Sequence, residues 1–193
     1  YQQFWEKIHY AASGFKTLGV HDEDKIALIS NSNPMWGITD FSAASLGAVT
    51  VPIYPTLPKD QAQFILHNAE VTVAVVEDDE QLEKVIEYEA LHYCVIMNPS
   101  NSKYDNEKIL TFEELERRGK EALILDWEDQ WKRIDRDKLV TIIHTSGTTG
   151  KPKGVMLTHG NFLANIEAIQ FWLIELMPED LMLSYLPLSH VFE

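Results

Sequence analysis

Ten consecutive residues concentrate the chemistry available to this sequence. Thr145-Ser146-Gly147-Thr148-Thr149-Gly150-Lys151-Pro152-Lys153-Gly154 holds four hydroxyl side chains, three glycines, two lysines and no acid. Glycine lets a backbone approach a ligand closely and take up positive φ. Successive free N–H groups form a concave nest for an anion. Hydroxyls donate to phosphate oxygens or ligate a metal, and lysine adds charge. The segment therefore reads as a phosphate-binding loop. A flexible hydroxyl-rich turn is the competing description. It accounts for neither the two lysines nor the small, hydroxylic core held between two glycines.

Three familiar loops are excluded by spacing. A Walker A loop needs four residues between its first glycine and the Gly-Lys pair, then Ser or Thr. Here two residues separate Gly147 from Gly150, and Pro152 follows Lys151. The G-x-G-x-x-G dinucleotide fingerprint is missing. No G-x-S-x-G frames Ser146, so a nucleophile elbow has no support.

Charge supports the loop reading. The 193 residues carry 16 Lys and Arg against 30 Asp and Glu, a net charge of −14. A protein that binds nucleic acid by neutralising phosphates is usually basic, so that class ranks low. The acids are unevenly spread. Thr141 to Asn165 contains none, where an even spread would place about four. An anion can sit in that window without facing like charge. Cys94 is the only cysteine, which rules out an internal disulfide and a cysteine-rich metal site. It reads as a buried reduced thiol, as in a cytosolic chain. His9, His21, His67 and His92 show no ligand spacing. No apolar run approaches the roughly 18 residues of a membrane span.

The elements that must position the loop are legible from periodicity. Phe4, Ile8, Ala11, Phe15 and Leu18 step by three or four and predict an amphipathic helix that Gly19 can end. Asn33-Pro34 predicts a helix start, with the helix running to Leu46 and stopping at Gly47. Helices are also expected around Ala62–Ala69, around Leu82–Ile86, from Thr111 to about Leu123 behind a Thr111–Glu114 capping box, and from Phe162 through Leu173 and Leu176. Lys25–Ser30, Ala48–Tyr54, Val71–Val76, Tyr93–Met97, Val140–His144 and Leu181–Leu186 are expected strands. Asn98–Lys108 reads as a surface loop, and Asp126–Asp137 is left unassigned. Trp36, Phe162 and Trp172 are expected in the core, and His159 at a helix start. Strands that are apolar runs, alternating with helices, predict an α/β fold: parallel-sheet layers covered by helices. Such sheets bind ligands beyond the carboxyl ends of their strands. The loop after Val140–His144 would lie at such an end.

The loop resembles the signature loop of the adenylate-forming (AMP-binding) superfamily: acyl-CoA synthetases, luciferases and peptide-synthetase adenylation domains. Further stretches share the likeness. They are Asn33-x-x-Trp36, Gly47 to Thr56, Met156-Leu157-Thr158-His159-Gly160-Asn161 and Leu186 to Glu193. Val51-Pro52-Ile53-Tyr54 and the last of these look most like bacterial long-chain fatty acyl-CoA synthetases.

The resemblance implies ATP-dependent activation of a long-chain fatty acid, first to an acyl adenylate and then to acyl-CoA. ATP, Mg²⁺ and coenzyme A are the implied small-molecule participants. Thr145, Ser146, Gly147, Thr148, Thr149, Gly150 and Lys151 would hold the β- and γ-phosphates, and Thr145 would also help hold the metal. Lys153 would be either a second charge on the loop or an exposed surface lysine. His190 resembles the family's gate residue beside the acyl and α-phosphate site. Met35 and His144 depart from the pattern, standing where relatives often have Glu and Tyr.

Residues 1–193 would form the first part of the large amino-terminal domain. The family's acidic metal motif, its adenine and ribose contacts and its carboxy-terminal lid are not among these residues, so turnover by them alone is expected to be weak or absent. Two other readings stay open: activation of a different carboxylate, as in other acyl- or aryl-CoA ligases, and a nucleotide-binding module without turnover. The expected location is the cytoplasm. Peripheral membrane proximity is left open, because fatty substrates favour it and no basic amphipathic helix declares it.

Overall fold

In the computed structural model, residues 1–101, 104–145, 152–172 and 186–188 are described, with backbone only at 170–172. The expected strand Leu181–Leu186 lies outside them, apart from a bend at Leu186. So do Leu173 and Leu176 of the expected long helix.

The chain alternates helix and strand. It runs α1 (Gln2–Thr17), β1 (Lys25–Ile29), α2 (Pro34–Ser45), β2 (Val49–Ile53), α3 (Lys59–Ala69), β3 (Val73–Val76) and α4 (Asp79–Val85). It continues through β4 (Tyr93–Ile96), β5 (Ile109–Thr111), α5 (Phe112–Glu121), α6 (Trp127–Trp131), β6 (Leu139–Thr145), β7 (Lys153–Thr158) and α7 (His159–Trp172). The strands form one seven-stranded sheet in the order β5-β4-β3-β1-β2-β6-β7. Every pairing among β1 to β6 is parallel, and β7 returns antiparallel to β6.

The apolar strand runs follow from burial on both faces. Ile26, Leu28, Val73, Val75 and Val95 point to one side, into a core with Ile8, Phe15, Trp36, Leu115 and Trp127. Ala27, Ile29, Ala74, Val76, Cys94 and Ile96 point to the other, against Ile65, Leu66, Val85 and Leu91. Cys94 is buried, and burial pushes its thiol pKa up. Both findings agree with an inert structural cysteine.

Helix starts follow their side chains. The Asn33 Oδ1 accepts from the Trp36 N–H at 3.0 Å, with Pro34 in the first turn. Gly47 follows α2 at φ +73°, and a Cβ there would meet the Asp22 carboxylate at 2.3 Å, so only glycine suits the turn. Thr111 accepts from the Glu114 N–H at 3.1 Å. The Glu114 carboxylate turns outward to Arg117 and Arg118, which hold its pKa down at about 2. The capping box is therefore half formed. The α1–α5 crossing is close, since a Cβ on Gly119 would come within 1.8 Å of the Tyr10 carbonyl.

Some expectations are revised. The sheet gains β5 and β7, and α5 stops at Glu121. The unassigned charged stretch contains α6. Its Trp127 is buried, donates to the Ser45 hydroxyl at 2.8 Å and stacks on His9 at 4.5 Å. Trp36 is in the core as expected, whereas Phe162 is 37% exposed on α7.

Candidate functional site

β6 is the last of the parallel strands, next to the antiparallel edge strand β7, and the hydroxyl- and glycine-rich loop follows its carboxyl end. The β6–β7 register pairs Ile142 with Met156, His144 with Gly154, and Thr145 with Lys153. Residues 146–152 therefore connect two directly opposed residues, so the loop is the tip of a β-hairpin. This joins two of the candidate residues in space. Thr145 closes one strand and Lys153 opens the other, and both are exposed. Ser146, Gly147, Thr148, Thr149, Gly150 and Lys151 lie outside the described residues, as does His190.

The hairpin is seated from behind. β6 pairs with β2 through Thr50 and Thr141. The Thr141 hydroxyl donates to the Thr50 carbonyl at 3.0 Å. The Thr50 hydroxyl in turn donates to the Asp40 carboxylate at 2.7 Å and lies 3.3 Å from the Val140 carbonyl. The Asp40 residue keeps some surface, but its carboxyl group is enclosed. Desolvation raises its pKa to about 6, and the Thr50 hydrogen bond offsets only part of that. Four residues on from the Thr50–Thr141 pair, Tyr54 and Thr145 reach the same carboxyl edge of the sheet.

One residue before Thr145, the His144 Nε2 donates to the Asn68 Oδ1 of α3 at 3.0 Å. Its buried Nδ1 has no partner among the described residues. Burial lowers the pKa of this imidazole, so it is neutral at neutral pH. Its cross-strand partner must be small: a Cβ on Gly154 would meet the Ile142 side chain at 2.8 Å and His144 at 3.2 Å. On the far side, the Thr158 hydroxyl accepts from the Asn161 N–H at 3.3 Å, and the Asn161 Oδ1 accepts from the Thr158 N–H at 2.9 Å. This reciprocal cap starts α7 at His159. Thr158 is thus the capping residue, and His159 is the first residue of the helix, as expected.

The Thr145 hydroxyl and the Lys153 ammonium are both exposed at the paired ends of β6 and β7. Among the described residues no group of three or more His, Cys, Asp or Glu could hold a metal ion. Two open concavities lie elsewhere. One, of about 660 Å³, runs along β5 and α5; the other, of about 380 Å³, sits between Lys25, Val49 and Leu139 at the amino ends of strands, beside Glu23, Asp135 and Asp137. Neither includes a loop residue, and acids line both.

Comparison with known proteins agrees with this architecture. Fatty acyl-CoA synthetase A of Dictyostelium discoideum is 29% identical over 202 residues, which cover 100% of this chain and 29% of that protein. The long-chain-fatty-acid–CoA ligase FadD15 of Mycobacterium bovis is 30% identical over 190 residues, covering 96% of this chain and 30% of the relative. The chain thus spans under a third of the length of these relatives. Among solved structures, the adenylation domain of a carboxylate reductase from Mycobacterium chelonae superposes with a TM-score of 0.75 at 20% identity, over 100% of this chain and 32% of that one. A long-chain-fatty-acid-CoA ligase (FadD1) from Archaeoglobus fulgidus gives 0.68 at 26% identity, over 87% of this chain and 32% of that one. The model of the AMP-binding enzyme family matches residues 1–193 throughout, and the chain belongs to that family.

Proposed function

We propose that this chain is the first part of the large domain of an ATP-dependent long-chain fatty acid–CoA ligase, and that its β6–β7 loop holds the nucleotide's phosphates. The observation that carries this is the hairpin itself. Its two arms end at Thr145 and Lys153, at the carboxyl edge of a parallel sheet where such folds bind ligands, and the acid-free run of hydroxyls, glycines and lysines lies between them in sequence. The names of the curated relatives supply the fatty acid.

The chemistry matches the residues. A fatty carboxylate has a pKa of roughly 4–5 and is already ionised at neutral pH. Its oxygen attacks the α-phosphorus, the bond to the bridging oxygen breaks, and pyrophosphate leaves with that electron pair. No general base is needed, which accounts for a loop without an acid–base pair. The barrier lies in bringing two anions together and in the charge that builds on the leaving group. Loop amides, the Thr145, Ser146, Thr148 and Thr149 hydroxyls and the Lys151 ammonium would take up that charge. Magnesium would supply further charge neutralisation when bound. The coenzyme A thiolate then attacks the acyl carbonyl carbon, and AMP leaves. His190, beside the acyl and α-phosphate site, would shift between the two half-reactions. Lys153, at the base of the hairpin, would add charge to the loop's flank.

The full-length protein is expected to exchange labelled pyrophosphate into ATP when given a long-chain fatty acid, and to form acyl-CoA when coenzyme A is added. Exchange that appears only with short or aromatic carboxylates would move the assignment to another ligase of the family. No exchange with any carboxylate would overturn it.

A further inference from the structure

A proline stands inside β2, a central strand of the sheet, where proline is seldom placed. Its position decides which neighbouring strand loses a hydrogen bond. The Val49 N–H donates to the Asp24 carbonyl at 2.8 Å, so Val49, Val51 and Ile53 turn their backbone groups toward β1. Alternate residues serve opposite neighbours, so Thr50 and Pro52 turn theirs toward β6. At Pro52 the ladder to β6 therefore meets a residue with no N–H to give. The pairing follows. β1 and β2 run in register from Lys25–Val49 to Ile29–Ile53, and β6 and β7 from Leu139–Thr158 to Thr145–Lys153. Between those two ladders, β2 and β6 are paired at Thr50–Thr141 alone.

Side chains take over where the backbone stops. The Thr141 hydroxyl donates to the Thr50 carbonyl at 3.0 Å, and the Thr50 hydroxyl donates to the enclosed Asp40 carboxylate at 2.7 Å. Both threonines are buried, where an unmade hydrogen bond is costly. The elements outside this seam hold to one another. The His159 N–H donates to the Lys138 carbonyl at 3.0 Å, the Gly160 N–H donates to the Arg136 carbonyl at 2.7 Å, and the Arg136 guanidinium pairs with Glu167 at 3.0 Å. β6, β7 and α7 thus form one unit. Two further ties cross at its ends: a partly exposed Lys138–Asp22 ion pair, of a kind that contributes little, and the His144–Asn68 hydrogen bond.

We propose that the β2–β6 seam is a joint built into the sheet. Pro52 interrupts the ladder, the Asp40–Thr50–Thr141 chain latches it, and β6, β7 and α7 part from β2 as one unit while β1 to β5 stay paired. Contiguous parts of a domain open below the free energy of global unfolding, and they separate where the fewest buried bonds must break. The seam is that place, because every other neighbouring pair of strands in this sheet keeps a longer register. The inference concerns the strands alone and does not depend on what the chain binds.

The test is amide hydrogen exchange in the full-length protein, followed peptide by peptide under conditions where the rate reports equilibrium opening. Thr141→Val removes the latch hydroxyl at nearly constant shape. It is expected to speed exchange in the β6 peptide about 3–10-fold, the effect of losing one net hydrogen bond. The β1 and β3 peptides stay within about twofold, and so does β7, whose pairing with β6 survives the opening. Thr141→Ser keeps the hydroxyl and holds β6 near its original rate. Pro52→Ala supplies the missing N–H and slows exchange in β6. Unchanged β6 exchange in Thr141→Val overturns the latch. Equal acceleration of β1, β3, β6 and β7 overturns the joint, since the sheet then opens as a whole, and so does a β6 rate that Pro52→Ala fails to slow. Each of these failures leaves the ligase reading standing, because no step of the readout involves nucleotide.

Discussion

Lys151→Ala in the full-length protein lowers the kcat/KM of pyrophosphate exchange for ATP by about 10²–10³-fold, the usual loss when one preorganised charge-stabilising group is removed from a reaction centre. The reasoning is electrostatic. The leaving pyrophosphate gains charge as the bond to the α-phosphorus breaks, and on the proposed reading the Lys151 ammonium would meet that charge. The window from Thr141 to Asn165 has no carboxylate to compete for that ammonium. Lys153→Ala serves as the internal comparison. Lys153 is the first residue of β7, exposed and opposite Thr145, at the hairpin's base rather than its tip. Its loss should cost about tenfold or less, as fits a more screened charge. Equal losses at the two positions would mean that the hairpin acts through overall charge rather than through a fitted loop. No loss at Lys151 would remove the loop from the reaction.

Asp40→Asn stabilises the protein at pH 7–8 by roughly 2–3 kcal/mol, measured by urea denaturation. The enclosed Asp40 carboxyl has its pKa raised to about 6 from 3.8. The sign follows from proton counting. Between pH 3.8 and 6 the folded protein keeps the proton and the unfolded chain has lost it, so stability falls as pH rises through that window. A tenfold change in an ionisation constant corresponds to about 1.4 kcal/mol. Above pH 6 the loss is complete and constant. An amide carries no charge to desolvate, and its oxygen can still accept from the Thr50 hydroxyl. The stabilisation should therefore nearly vanish at pH 4. A gain of equal size at pH 4 and pH 8 would contradict burial of the charge as its cause. Asp40 also bears on the site, because Thr50 links it to Thr141 and so to the strand that carries the loop.

His144 acts in the opposite sense. Its pKa is lowered by burial, so its neutral form belongs to the folded state. Stability from this group is kept above the ordinary histidine range and lost as pH falls below it. The two groups together place the stability limits of the hairpin's seat on both sides of mild acidity.

How much was legible in the sequence depended on the range of the interaction that decides each feature. β1 to β4 were readable because both sheet faces are buried, which leaves uninterrupted apolar runs. The start of α2 was readable because Asn33 and Pro34 act within one turn. β7 was not, because Lys153-Gly154-Val155-Met156 continues a glycine-rich loop and its strand character comes only from pairing with β6. Its exposed Val155 and Met156 give no sign of burial on either face. α6 was hidden for a related reason. Asp126-Trp127-Glu128-Asp129 looks like a solvated charge run until Trp127 meets His9 and Ser45. The phosphate binding proposed for the loop rests on its composition, since such binding draws on local amides and hydroxyls. The loop's seat was not legible in that way. Asp40 with Thr50 and His144 with Asn68 are joined across 10 and 76 residues, and no spacing rule anticipates such pairs.

A crystal structure of the full-length protein with magnesium and a non-hydrolysable ATP analogue tests the central claim most directly. The account predicts the β- and γ-phosphate oxygens within hydrogen-bond distance of the backbone amides and hydroxyls of residues 145–150, with the Lys151 ammonium beside them. A triphosphate bound at another edge of the sheet, with this hairpin tip packed against neighbouring side chains, would contradict it.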